Sequence, residues 1–140
     1  MDGFDAYAHA IAALALMGVV VLLLGPVSAL KKQAMGLAPG ATPPEDYANA
    51  AYRWHRAYGN ASDSLGVFIA VTAAAILAGA SPFWVNWLAS IFIVARVVML
   101  VLHVGGIGRA DIGPRSFAFI AGALCCYGLA GLALVAAFGA

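Results

Sequence analysis

Apolar positions in this chain come in long runs instead of alternating with polar ones, and four such runs predict four membrane-spanning helices. The first runs roughly from Tyr7 to Leu30 and is rich in Ala, Val and Leu, with Gly25-Pro26 expected to kink its last turns. A polar stretch follows from Lys31 to about Asn49, where Pro39-Gly40 and Pro43-Pro44 mark a loop. A second helix is expected to start near Glu45 and to enter the membrane near Asn60. Its first half is polar on one side, and from Ser64 to Ala80 it is apolar. Ser81-Pro82 makes a short turn into a third span, from about Phe83 to Val104. Gly105, Gly106, Gly108 and Gly113-Pro114 form the next loop, and a fourth span runs from about Arg115 to Phe138. The spans thus lie at about 7–30, 60–80, 83–104 and 115–138, in one domain over residues 1–140.

Composition makes lipid the solvent. Hydrophobic residues are 64% of the chain and charged residues 9%, where a soluble domain carries about 25% charged. So few charges cannot cover a surface in water. The fold class is therefore an all-α integral membrane protein, a four-transmembrane-helix bundle. A net charge of +1 argues against a nucleic-acid partner. The N-terminus carries Asp2 and Asp5 where a cleavable signal carries basic residues, so the first span reads as retained.

Basic residues set the orientation. Lys31, Lys32, Arg53 and Arg56 flank the first loop, Arg109 and Arg115 the third, and the Ser81 turn has none. The positive-inside rule then puts the first and third loops in the cytoplasm and both termini on the non-cytoplasmic side. Trp54, Trp84 and Trp87 fall near the expected interfaces. The adjacent pair Cys125 and Cys126 lies in an apolar run, where cysteine packs as a small hydrophobe.

Ionisable groups at membrane depth are expensive and tend to mark function. Arg53, Arg56, Asn60 and Asp63 are spaced three, four and three apart, which puts them on one helix face. Two cations, an amide and a carboxylate suit a zwitterionic or anionic ligand. Snorkelling at a helix end accounts for the arginines but poorly for Asp63, whose side chain is short. Arg96 stands inside the third span. At about 1.5 Å per residue, Asp63 lies roughly 25 Å and Arg96 roughly 20 Å from the Ser81 turn. The two are expected to face each other at matched depth, within one chain or across a subunit interface. His103 follows seven residues after Arg96, on the same face; alone it reads as an interfacial histidine. Arg115 opens the fourth helix, where a cation opposes the helix dipole and hints at an anionic partner. His9 reads as structural. No phosphate-binding glycine loop, Cys-x-x-Cys pair or metal-spaced histidine cluster is present.

These residues resemble a known family, the membrane-associated proteins in eicosanoid and glutathione metabolism (MAPEG), in a bacterial-type member. Its second-helix pattern of Arg, Arg-Ala, Asn and an acid reads here as Arg53, Arg56-Ala57, Asn60 and Asp63. Ala95-Arg96 matches its third helix and Arg115 the opening of its fourth. The likeness covers nearly the whole chain. It implies a homotrimer in the bacterial inner membrane, with glutathione as co-substrate near the cytoplasmic side between subunits. Carried over by position, Arg53, Arg56, Asn60, Asp63 and Arg96 bind glutathione, and Arg115, or Arg109, stabilises its thiolate. A small lipophilic electrophile arrives from the membrane lipid, and no metal is implied. Two positions depart from the pattern: Asp63 stands for glutamate, and His103 for the tyrosine of the third helix, which makes His103 a second candidate catalytic residue, able to donate a hydrogen bond. The resemblance thus implies a glutathione transferase or peroxidase. The alternative is a non-enzymatic trimer of the same fold that binds lipid or scaffolds. A transporter fits worst, because residues 67 to 94 offer only Thr72, Ser81, Asn86 and Ser90 as polar groups.

Overall fold

The computed structural model describes residues 3–107 and 113–139. Arg109, the alternative thiolate partner, lies outside the described residues. A single turn of 3-10 helix, Asp5–Tyr7, leads into α1 (Ala8–Gln33). Then come α2 (Ala50–Leu77), α3 (Pro82–Val104) and α4 (Pro114–Phe138). All four are long and apolar enough to cross a membrane. The chain is an all-helical, multi-pass integral membrane protein.

Helix ends follow from local chemistry. The second helix begins at Ala50, not near Glu45. The reason lies in the preceding turns: Ala48 N donates to Asp46 Oδ1 at 2.9 Å, and Asn49 N donates to Asp46 O at 3.0 Å. The Asn49 side chain then caps the helix, accepting from Ala51 N at 2.8 Å. At its far end Gly79 takes φ +70°. That conformation lets Ala80 N reach back to Ala75 O at 3.0 Å and Gly79 N to Ile76 O at 3.0 Å, closing the turn into α3. Pro82 and Pro114 open α3 and α4, where a missing N–H costs nothing. Pro26 does not end α1, which continues to Gln33.

The core is thin and made largely of small side chains: Ala10, Ala13, Ala57, Ala61, Ala75, Ala89 and Ala133 are buried between helices. Small residues let backbones approach where lipid gives no hydrophobic drive to associate. Met17, Val85, Leu129 and the stacked pair Phe68–Phe92, with centroids 3.9 Å apart, fill the remaining space. Leu22, Leu77, Val135 and Phe138 point outward instead, as a lipid-facing surface requires.

The end of the bundle near the Ser81 turn is tied by polar groups that satisfy each other. Asn86 of α3 accepts from Ala10 N at 3.0 Å and donates to Ala6 O at 2.7 Å, capping α1 from a neighbouring helix. The Tyr7 hydroxyl donates to Ala80 O.

Candidate functional site

At the other end of the bundle, the first loop is folded onto the ends of α2 and α3. Pro43 is fully buried and anchors it. Arg53 fastens it: Nη1 donates to Tyr47 O at 2.7 Å and Ala48 O at 2.8 Å, and Nε donates to Val104 O at 3.1 Å. Arg53 thus spends its guanidinium on backbone carbonyls, one of them an orphan acceptor at the end of α3. Its place on the polar stripe does not bring it into the cleft its neighbours line.

That cleft has a volume of about 360 Å³ and is bordered by Tyr47, Arg56, Asn60, His103, Arg115 and Ser116, among others. Fastened by Arg53, Tyr47 stacks on His103, with centroids 6.4 Å apart. The Arg115 guanidinium sits over the same tyrosine ring, 4.2 Å from its centroid. Asn60 Nδ2 donates to Arg56 O at 3.0 Å and lies 3.2 Å from His103 Nε2. With the amide as donor, His103 accepts at Nε2 and carries its proton on Nδ1. Nδ1 is buried with no hydrogen-bond partner among the described residues.

A second cleft of about 480 Å³ continues from the first, sharing Asn60 and Phe119. Asp63, Ser64, Arg96 and Cys126 supply its polar groups; Val67, Val71, Ala123, Tyr127 and Ala130 supply an apolar wall. Together the two make one groove, polar toward the first loop and apolar toward the middle of the bundle.

Arg96 is the groove's most unusual group. It is 5% exposed. Its guanidinium lies 4.8 Å from the Phe92 ring centroid and 5.1 Å from that of Phe119, and Nη1 contacts Met99 Sδ at 3.8 Å. Nε has no partner among the described residues. Gly122 makes the room: a Cβ there would stand 2.8 Å from Nη2. Asp63 lines the same groove but is exposed, and no ion pair joins it to Arg96 within the chain. Matched depth brought the two residues to one groove, but their rotation about the helix axes keeps them apart. A desolvated guanidinium that meets aromatic faces and a thioether, with no ion pair among the described residues, is costly without an anion.

Arg56, Asn60, Asp63, Arg96, His103 and Arg115 all border this groove. The sequence reading missed Tyr47, Phe119 and Cys126. Tyr47 comes from a loop whose path composition does not reveal, and α4 is apolar all round, so its rotation is not legible. His9 lies at the opposite end of the bundle, exposed, beside Asn86 and Trp87. Among the described residues, no group of three or more His, Cys, Asp or Glu is placed to hold a metal ion.

Compared with protein families, the chain matches the model described as MAPEG family over residues 9–135, nearly its whole length. Comparison with curated proteins and with solved structures gave no match.

Proposed function

The chain belongs to the MAPEG family, and from that premise we propose that it is a glutathione-binding membrane transferase or peroxidase acting on lipophilic electrophiles. The observation that carries this reading is Arg96, a buried guanidinium with no carboxylate partner among the described residues, in a two-sided groove. Glutathione brings two carboxylates, an ammonium and a thiol. Arg96 and Arg56 suit the carboxylates, and Asp63 with Asn60 suits the amine end. Arg115 stands where a cation would hold a thiolate, and a nearby cation raises the nucleophilic fraction of a thiol. His103 borders the same cleft. Arg53 supports the site indirectly, by holding Tyr47 in place.

The apolar wall suits an electrophile that dissolves in lipid. In transfer, the thiolate sulfur forms a bond to the electrophilic carbon and the leaving group departs with its electron pair. In peroxide reduction, two glutathiones reduce a hydroperoxide to an alcohol and water and become the disulfide. Arg56 and Asp63 are exposed in the single chain, which favours a homotrimer in which a neighbour closes the groove. The basic loops favour a cytoplasmic groove with both termini on the other side.

The test is conjugation of a hydrophobic aryl halide in detergent. The wild type turns over with glutathione, and Arg96→Ala loses at least about 100-fold in kcat/KM. Glutathione binding without turnover assigns the non-enzymatic alternative. Neither binding nor turnover in well-folded protein overturns the proposal.

A further inference from the structure

The two adjacent cysteines are not equivalent. Successive helical residues point about 100° apart, and Cys126 borders the groove where Cys125 does not. The Arg96 guanidinium presses on α4 at Gly122. Cys125 and Cys126 lie three and four residues further along, so both follow on that side of the helix and both are buried; what separates them is that only Cys126 borders the groove. Arg96 lines the same groove, is 5% exposed, and leaves its Nε without a hydrogen-bond partner among the described residues. The wall beside the thiol is Val67, Val71, Ala123 and Ala130. An alkyl chain entering from lipid meets apolar surface first, then a thiol with a cation near it.

We propose that Cys126 is a covalent modification site for lipophilic α,β-unsaturated carbonyl compounds, with Arg96 as the neighbouring group that promotes the addition. The sulfur electron pair forms a bond to the β carbon. The double-bond pair moves toward the carbonyl as an enolate, and the proton lost by the thiol returns to the α carbon. No atom leaves and no oxidant is needed, so the chain gains the full mass of the compound. Arg96 stabilises first the thiolate and then the enolate oxygen by charge. The adduct occupies the apolar half of the groove. Glutathione takes no part in the step, so the inference stands apart from the proposed turnover.

The experiment is timed exposure of the full-length protein in detergent to oct-1-en-3-one, read by intact mass and by mass of the peptide carrying both cysteines. One equivalent is expected, on Cys126, and Cys126→Ser remains unmodified while Cys125→Ser labels as wild type. Arg96→Gln, with its helix content checked by circular dichroism, labels about tenfold more slowly, because the enolate oxygen that forms in the addition loses its neighbouring cation. If that variant does not fold, selectivity in the unaltered protein decides: at least about ten Cys126 adducts form for each Cys125 adduct, because only Cys126 borders the groove the compound enters. Equal labelling of both cysteines, labelling of Cys125 alone, no adduct, or an unchanged rate in folded Arg96→Gln overturns the proposal.

Discussion

The two ends of the bundle handle buried polar groups in opposite ways. Near the Ser81 turn, Asn86 uses its acceptor on Ala10 N and a donor on Ala6 O, and Tyr7 donates to Ala80 O. These two side chains close on backbone, while the Thr72 hydroxyl further along α2 is buried with no partner among the described residues. At the first-loop end, Arg96 Nε, His103 Nδ1 and His55 Nδ1 are buried with no partner among the described residues. An unmade buried hydrogen bond costs about 1–3 kcal/mol, so the second arrangement gives up stability that the first retains. The difference separates an end built to hold helices together from an end built to receive something.

The same contrast recurs within one helix-end cluster. Arg53 and Arg96 are both conspicuous arginines in the sequence, yet Arg53 is committed to three carbonyls and Arg96 to none. The sharpest test of the comparison is Arg96→Ala. It is expected to abolish most turnover, at least about 100-fold, and to remove the rise in melting temperature expected of the wild type with glutathione. Arg53→Ala should do the reverse in order of cause. It loses about 2 kcal/mol of stability without any ligand present, seen as a lower melting temperature in detergent. Weaker glutathione binding then follows only as far as Tyr47 moves. An Arg53→Ala protein as stable as wild type breaks the distinction between the two arginines.

At the opposite end, Asn86→Ala is expected to lose about 1–2 kcal/mol, because it strands the Ala10 amide. Glutathione affinity in that variant stays at the wild-type value, measured by titration calorimetry. The smallest change is expected from Asp63→Asn in the empty protein, within about 0.5 kcal/mol, since Asp63 is exposed and unpaired with Arg96 in the chain. A large loss there would mean that Asp63 is held by a neighbouring subunit.

The four spans were legible because run length and hydropathy depend on composition alone. Arg96 was legible because one charge among apolar neighbours is conspicuous. The spacing of Arg56, Asn60 and Asp63 correctly put three residues along one groove, yet it swept in Arg53, whose long side chain turned back to Tyr47 and Val104. Asp63 and Arg96 share that groove but do not pair within the single chain, for a related reason. Depth follows from rise per residue, but direction depends on how helices rotate against each other, which packing decides. Rotation also hid the difference between Cys125 and Cys126. Tyr47 was hidden by a loop whose fold rests on a buried proline, an aspartate turn and the bonds that Arg53 and Lys32 make to its carbonyls.

Asn86 and Ala10 are 76 residues apart in the chain. During synthesis the first helix therefore enters the bilayer with the amide that Asn86 will later receive still unmet, and it stays so until the third helix has been made. Final docking of the first helix is thus a late event in biogenesis, and a chain halted before Asn86 leaves that helix without the clasp that fixes its N-terminal end.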